Sequence, residues 1–485
     1  MIRTIYPKER SAASHPFPTA VGKCGFEESG YIEEEYFFEG TSNVYAETGA
    51  HEKEIRYPDL PYCNRFLVRK PQNPEAFSGN VVVEILNATA GFDIDRMWIV
   101  GAKELMRDGA VYIGITSKPD VLDSLKQADA KRYEAINWKI PYKRPKSPYP
   151  VADPAAWPRR EDCETGLFWD MLTDLVKILR NDPVLIPEGP KRWFYLTGWS
   201  QSATYLFTYL NYFAFSNPEE VLFDGYLTGG GIHSFLVPLN QNDYGKETDY
   251  QKNKIGYMPV PYIAVQTESE NAAFGGLESR QEDSDEENRK YRCYEIAGAT
   301  HDTKYSMLDY YNGDADLKKI GRMPEFSSID DYPNDYPYQY QFYAIYRMLF
   351  RWVREGICPP YGNRIEVGDW KENRKDVFGN TLGGVRSPFV DVPAAVYYSY
   401  STVKREEEPA GINLVFGHME PFSARKLQKL YGTLENYRRL VEKAAKEQVE
   451  SGFLLPEDQD ACVAEAVERA VSYGFGEEKN ERAEL

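Results

Sequence analysis

Residues 195–203 have the sequence Tyr-Leu-Thr-Gly-Trp-Ser-Gln-Ser-Ala, and this stretch decides the fold. The run 191–196 before it is apolar and aromatic, as is typical of a buried strand, and the apolar residues from Ala203 onward recur at the spacing of one helix face. The Gly-Trp-Ser-Gln-Ser between them is close to G-x-S-x-G, the nucleophile elbow, in which a sharp turn presents a strained serine above the sheet. Ser202 takes the place of the second glycine. The pattern therefore predicts a reactive Ser200; the alternative is an ordinary turn with a capping serine.

Strands and helices alternate on both sides of this turn. Strand, helix and strand in this rhythm imply parallel pairing with right-handed crossovers, so we expect an α/β protein with a mostly parallel central sheet flanked by helices. The sequence predicts a hairpin at 31–38, strands at 62–69, 80–86, 110–116, 221–228, 261–267 and 291–296, and helices at 93–107, 161–180, 203–213 and 339–354.

Long irregular insertions interrupt a core that we place at about residues 60–355. Residues 118–160 are rich in proline and aromatic residues, and 232–258 follow a glycine run. We expect both insertions to form lids, since long ordered loops are more often functional than not. Residues 356–485 differ in composition and are predicted to form a C-terminal extension packed on the core. This extension contains strand-like stretches at 383–392 and 395–400 and helical stretches at 424–450 and 456–470.

The composition narrows the class of function. The 485-residue chain carries 57 basic against 75 acidic residues, a net charge of −18, which argues against nucleic acid and against an anionic membrane surface as partners. No apolar run approaches the roughly 18 residues of a membrane span. The first residues lack the apolar core of a signal peptide, and the six cysteines are scattered, so neither disulfides nor a zinc cluster is predicted. We expect a cytoplasmic protein that needs no metal or other cofactor; its oligomeric state stays open.

A serine nucleophile needs a base, and in chains with this elbow the triad follows the order Ser, acid, His. Three histidines follow Ser200: His233, His301 and His418. His301 ends the stretch 297–301 directly after the last predicted strand, which is where this fold presents its base, so we predict that His301 is the base. His233 is expected to be structural or to line the pocket, and His418 belongs to the extension.

The acid is expected from a strand end between Ser200 and His301, where Glu268 and Glu270 both qualify. The usual layout places the acid about three residues past the strand, which favours Glu270 and leaves Glu268 as the alternative or as a support for the loop. The acid would hold the imidazole in one tautomer and stabilise the imidazolium.

An oxyanion hole needs two backbone N–H groups. One is predicted at Gln201, directly after the nucleophile, and the other at Ala88 or Thr89, on the loop after the first central strand. We also expect Trp199 to contact the substrate. Arg386 would meet a carboxylate or sugar hydroxyl of the substrate, although a structural salt bridge is the preferred interpretation.

Several stretches of the chain form a recognisable set: 83–87 followed by Gly91, 132–133, 198–202, 266–270, 297–301, 379–380 with 383–388, and 452–458. Together they resemble the bacterial and fungal "alpha/beta hydrolase domain-containing" proteins, a branch of the α/β-hydrolase superfamily. The resemblance covers nearly the whole chain, so residues 1–485 are treated as one elaborated unit. It implies an α/β-hydrolase fold, a serine hydrolase and cleavage of carboxylic esters. Such relatives usually carry aspartate where Glu270 stands, and they are often exported, whereas this chain shows no leader.

The residues and the resemblance together predict a serine esterase that forms an acyl-enzyme on Ser200. Its substrate would be a small-molecule ester, and the aromatic-rich insertions suggest a bulky or aromatic one. Two alternatives remain: the same triad used by an acyltransferase or on an amide or lactone, and a non-catalytic binding protein on a hydrolase fold.

Overall fold

The computed structural model describes residues 1–18, 24–26, 28–142, 160, 162–187, 189, 191–217, 219–231, 237–243, 255–326, 331–402 and 412–476. His233, residues 143–159 of the first predicted insertion, and residues 232–236 and 244–254 of the second lie outside these described residues.

A ten-stranded sheet forms the centre of the described chain, in the order β1-β2-β3-β5-β4-β6-β7-β8-β10-β9. The six neighbouring strands β5, β4, β6, β7, β8 and β10 pair in parallel. At one edge β1, β2 and β3 pair antiparallel, and at the other edge β9 does. The strands are β1 (Ile2–Lys8), β2 (Tyr31–Gly49), β3 (Glu52–Pro71), β4 (Asn80–Ile85), β5 (Val111–Ile115), β6 (Trp193–Trp199), β7 (Gly225–Gly229), β8 (Met258–Thr267), β9 (Ser284–Glu286) and β10 (Arg289–Ile296).

The central strands are covered on both faces, as is usual for strands of a parallel sheet, and nearly all residues of β4, β6 and β7 are buried. All six residues of β4 are buried. Val81 and Val83 point into a core shared with helices α3 (Phe168–Leu179) and α4 (Gln201–Tyr212). Val82 points into a second core shared with α1 (Arg96–Asp108) and α7 (Gln339–Glu355). This arrangement confirms the predicted α/β architecture with a mostly parallel sheet.

The remaining helices lie between these elements and in the extension. They are α2 (Leu122–Ala128), α5 (Glu268–Ala273), α6 (Ala315–Lys319), α8 (Pro388–Asp391), α9 (Ile412–Val415), α10 (Ala424–Tyr431), α11 (Leu434–Ser451) and α12 (Gln459–Ser472), with a π-helical segment at Lys304–Asp309. A second, small antiparallel sheet joins β11 (Tyr332–Pro333), β13 (His418–Pro421) and β12 (Ala395–Tyr397). No helix in the described ranges has both the length and the apolar character that crossing a bilayer requires.

Three local predictions were incomplete or wrong. The hairpin expected at 31–38 is part of a much longer pair, since β2 and β3 stay paired over nearly their full lengths. The stretch 383–392 is not a strand, because Ser387 caps the short helix α8 with Pro388 in its first turn. The helix predicted at 424–450 breaks at Gly432, which has a φ of 75° and precedes a new helix cap at Thr433.

Candidate active site

Ser200 lies in the turn between β6 and α4 with φ 55° and ψ −120°. A positive φ is strained for a residue with a side chain and costs about 1–3 kcal/mol, which the surrounding structure must supply. Part of that support comes from the Ser200 N–H, which donates to Gly229 O at 2.9 Å. Gly198 makes the turn possible, because a Cβ there would lie 2.6 Å from Ser202 O. The strand-to-helix geometry is therefore that of a nucleophile elbow.

His301 and Glu270 meet at the carboxyl ends of two neighbouring strands. Glu270 is in the first turn of α5, directly after β8, and His301 follows β10, which pairs with β8 in parallel. His301 Nδ1 is 2.6 Å from Glu270 Oε1, and both side chains are buried. The other carboxylate oxygen, Oε2, accepts hydrogen bonds from Thr267 N at 2.5 Å and Thr267 Oγ1 at 2.8 Å. One oxygen of Glu270 thus caps the helix while the other holds the imidazole.

This pairing sets the ionisation of His301. Burial lowers the pKa of the imidazole, but the hydrogen bond and the negative charge of Glu270 outweigh burial, so the pKa of His301 lies above its ordinary value of 6.5. A proton on Nδ1 donated to Glu270 leaves Nε2 as the nitrogen that can accept another proton. The arrangement is suited to a general base.

Glu268 lies in a different environment from Glu270. Its Oε1 accepts from Gly298 N at 2.5 Å, its own N–H donates to Ala299 O at 3.1 Å, and Lys375 Nζ is 3.5 Å from Oε2. These contacts attach Glu268 to the backbone just before the histidine. The structure therefore places Glu268 as a support of that loop, and Glu270 against the imidazole.

Trp199 joins the elbow to the histidine. It is only 2% exposed, its ring centroid lies 5.6 Å from that of His301, and it stacks on Tyr338 at 5.9 Å. Gly230 completes the contact, because a Cβ there would lie 2.8 Å from the Trp199 ring and 2.9 Å from His301 Cε1. Trp199 was expected to contact the substrate; its described contacts are with the base and the core.

Asn87 organises the loop predicted to supply the second oxyanion donor. Its Nδ2 donates to Trp199 O at 2.9 Å, and its Oδ1 accepts from Thr89 N at 2.8 Å and Thr89 Oγ1 at 2.6 Å. The Thr89 N–H is therefore already engaged. The Ala88 N–H has no acceptor among the described residues, which leaves it available to a ligand. The other candidate donor, the Gln201 N–H, is at the first position of α4.

Two buried cations near the site were not singled out from the sequence. Arg96 forms an ion pair with Asp302, the residue after His301, and its guanidinium lies 5.7 Å from the Trp199 ring. Lys118 lies at the carboxyl end of β5 and donates to Ser202 Oγ at 3.1 Å. The position of Lys118 directly after a buried strand was the available signal, since the carboxyl ends of parallel strands converge on the ligand site.

The described partners of Arg386 and His418 lie away from this cluster. Arg386 Nε donates to Asp391 Oδ1 at 2.6 Å and its Nη2 to Asp376 Oδ2 at 2.9 Å, partners that belong to the extension. These are the contacts of a structural ion pair. His418 stacks on Tyr398 with ring centroids 4.3 Å apart. His233, as noted, lies outside the described residues.

Comparisons with solved structures find esterases at low identity. Esterase Est22 is 11% identical with a TM-score of 0.31, over 63% of this chain and 82% of that one. A structure of fungal esterases from Rhizomucor miehei is 10% identical with a TM-score of 0.31, over 65% of this chain and 85% of that one. A glucuronoyl esterase from Solibacter usitatus is 10% identical with a TM-score of 0.31, over 67% of this chain and 86% of that one. No curated protein sequence matches the chain.

A family model matches a larger part of the chain than these structures do. A model described as "Alpha/beta hydrolase domain" matches residues 6–464, which includes the elbow, the acid and histidine loops and most of the C-terminal extension. Because this match spans nearly the whole chain and agrees with the sheet order and the serine elbow, the protein belongs to the alpha/beta hydrolase domain family.

Proposed function

We propose that the protein is a serine hydrolase that cleaves carboxylic esters through an acyl-enzyme on Ser200. The observation that supports the proposal is the 2.6 Å contact between Glu270 Oε1 and His301 Nδ1, together with the contact of the His301 ring with Trp199, the residue before Ser200. A base oriented by a buried acid next to a strained serine is the arrangement that activates a hydroxyl nucleophile.

The first half of the reaction follows from these positions. Ser200 Oγ attacks the ester carbonyl carbon while His301 Nε2 takes the hydroxyl proton, and Glu270 stabilises the imidazolium that results. The negative charge on the carbonyl oxygen is met by the N–H groups of Ala88 and Gln201, the latter at the positive end of a helix. When the tetrahedral intermediate collapses, the carbon–oxygen bond to the alcohol breaks and His301 gives its proton to the leaving oxygen.

The second half restores the enzyme. A water molecule takes the place of the alcohol, loses a proton to His301 Nε2 and attacks the acyl carbon. When this second tetrahedral intermediate collapses, the bond from the acyl carbon to Ser200 Oγ breaks, His301 gives its proton to Ser200 Oγ, and the acid is released. The imidazole must be neutral at the start of each half. Because the pKa of His301 lies above 6.5, we expect activity to rise with pH through a midpoint above that value.

The test is intact mass after treatment with a fluorophosphonate, with Ser200→Ala and Ser216→Ala measured beside the wild type. Ser216 is exposed and follows the same helix, so its removal is a matched control. We expect a single adduct on the wild type and on Ser216→Ala, and none on Ser200→Ala, together with a loss of turnover of a chromogenic ester of about 10⁶-fold for Ser200→Ala. A wild type that neither labels nor hydrolyses any ester in a panel of acyl lengths would contradict the proposal.

A further inference from the structure

Lys118 is a buried cation near the candidate site, and the proposed mechanism gives it no role. It follows β5 at the carboxyl edge of the sheet, and its side chain is 1% exposed. Among the described residues, its ammonium group forms hydrogen bonds with one carbonyl and two hydroxyl oxygens rather than with a carboxylate. Burying a charge without a paired carboxylate is expensive, so other contacts must compensate.

The ammonium group contacts both backbone segments that carry the candidate oxyanion donors. Lys118 Nζ donates to Ser202 Oγ at 3.1 Å, to Ser117 Oγ at 2.7 Å and to Leu86 O at 3.3 Å. Ser202 is two residues after the nucleophile, and Leu86 is two residues before Ala88. One side chain therefore joins the start of α4 to the end of β4.

Leu86 O is the centre of this arrangement. Besides Lys118 Nζ, it accepts from Ser117 Oγ at 2.5 Å and from Ser202 Oγ at 3.1 Å. The next residue, Asn87, is fixed by its N–H to Ile94 O at 3.0 Å and by its side chain to Trp199 O. With these groups fixed, the direction of the following N–H, that of Ala88, is set before any substrate arrives.

The hydroxyl of Ser202 explains why this chain departs from G-x-S-x-G. A glycine at that position would supply neither the acceptor for Lys118 nor the donor to Leu86 O. The serine fits because its side chain is fully buried between these two partners.

Resting on the proposed serine mechanism, we propose that Lys118 is a positioning residue for the oxyanion hole, which clamps its two backbone segments through Ser202 and Leu86 and adds positive charge behind them. Fixed donors and nearby positive charge act where negative charge develops in the transition state, and they require no reorganisation during the reaction. Lys118 does not touch the substrate, so it is expected to change the rate of the chemical step rather than substrate binding.

The charge of Lys118 is sensitive to pH. Burial lowers the pKa of Lys118 to about 7, against the smaller opposing effects of the carboxylates of Asp93, on the loop before α1, and Asp120, on its own segment. The third neighbour is the ring of Tyr205 on α4, with its centroid 4.3 Å from Nζ. Raising the pH through this range removes the ammonium charge, so the contribution of Lys118 to the rate is present below the transition and lost above it.

The experiment compares wild type, Lys118→Met, Ser202→Ala and the control Lys126→Met. Methionine resembles the lysine stem in volume without its charge, and Lys126 is exposed on α2. For each protein, kcat and KM for a chromogenic ester and the rate constant of fluorophosphonate labelling are measured from pH 5 to 9, with circular dichroism as the check on folding.

For wild type and Lys126→Met we expect a bell-shaped profile, with the acid limb from His301 and the alkaline limb from Lys118. Lys118→Met is expected to lose about tenfold in kcat and in labelling rate, less than the roughly 10²–10³-fold cost of removing an oxyanion donor, with KM little changed. Its alkaline limb should disappear. A folded Lys118→Met that keeps the wild-type rate and profile would overturn the inference.

If Lys118→Met does not fold, Ser202→Ala tests the positioning role of Lys118 instead. It keeps the lysine but removes one acceptor of the ammonium group, so the alkaline limb should move to lower pH. A Ser202→Ala profile identical to that of the wild type would overturn the inference. The proposed function fails separately: a wild type without labelling or turnover rejects the serine mechanism, whereas a labelled wild type with unresponsive Lys118 and Ser202 variants rejects only the role of Lys118.

Discussion

The nucleophile and the base of the candidate site are held by two differently built regions. The nucleophile region belongs to the centre of the sheet: Ser200 N donates to Gly229 O on β7, and Asn87 Nδ2 donates to Trp199 O. The base region lies on β8 and β10 and depends on the C-terminal extension as well. Ala297 N donates to Val385 O at 3.2 Å, just ahead of the histidine loop.

The contacts from the extension to the base region are close and buried. Thr300 Oγ1 donates to Val415 O at 3.0 Å and accepts from Gly417 N at 2.9 Å. Ser269 Oγ donates to Ser399 O at 3.0 Å and accepts from His301 N at 3.1 Å. The difference teaches that the extension helps to hold the loop of His301, so changes that break the contacts of Thr300 or Ser269 with the extension should alter the ionisation of His301 while leaving the elbow intact.

The largest effect within the base region is expected from Glu270→Gln, with Glu268→Gln as the matched control. The amide removes the charge that holds the imidazole in its tautomer, so we expect kcat to fall by about 10²–10⁴-fold. The pKa of His301 should also fall, because burial is then no longer outweighed, and the acid limb of the pH profile should move to lower pH. Both quantities come from kcat measured against pH.

Glu268→Gln tests whether the two carboxylates differ as their contacts do. Glu268 accepts from Gly298 N and bonds the loop rather than the ring, so this variant should lose less than tenfold in kcat and mainly lose thermal stability. Equal losses in the two variants would contradict the assignment of the acid to Glu270. A larger loss for Glu268→Gln would reverse it.

The sequence was informative where the signal is local. The elbow turn and the buried strands depend on short patterns, and the contact between Glu270 and His301 lies at strand ends that such patterns locate. The contacts of Asn87 and Lys118 were missed because they join segments that are distant in the chain, such as Lys118 with Ser202. The break at Gly432 was missed for another reason: the helical spacing continues across it, and only the positive φ of the glycine shows the new start.

A smaller effect is expected from Thr300→Val, compared with Thr197→Val in the nucleophile region. Thr300→Val removes both bonds to the extension, whereas the hydrogen bond from Thr197 Oγ1 to Val83 O, at 3.3 Å, lies inside the sheet. Loosening the histidine loop should weaken the Glu270 contact, lower kcat by about tenfold and shift the acid limb to lower pH. Thr197→Val should lose stability without that shift. Identical pH profiles for the two variants would remove the distinction between the regions.

The smallest effect is expected from Arg386→Ala, which tests whether an ion pair within the extension influences the pKa of His301. Arg386 bonds Asp391, Asp376 and Val390 O within the extension, so its loss should cost about 1–2 kcal/mol of unfolding free energy, measured by denaturant titration. We expect kcat, KM and the acid limb to stay at wild-type values, since among the described residues Arg386 itself forms no hydrogen bond with the histidine loop 297–301. A rise in KM confined to esters that carry a carboxylate or a sugar would instead mean that Arg386 contacts the substrate, and the extension would then line the pocket as well as support the base.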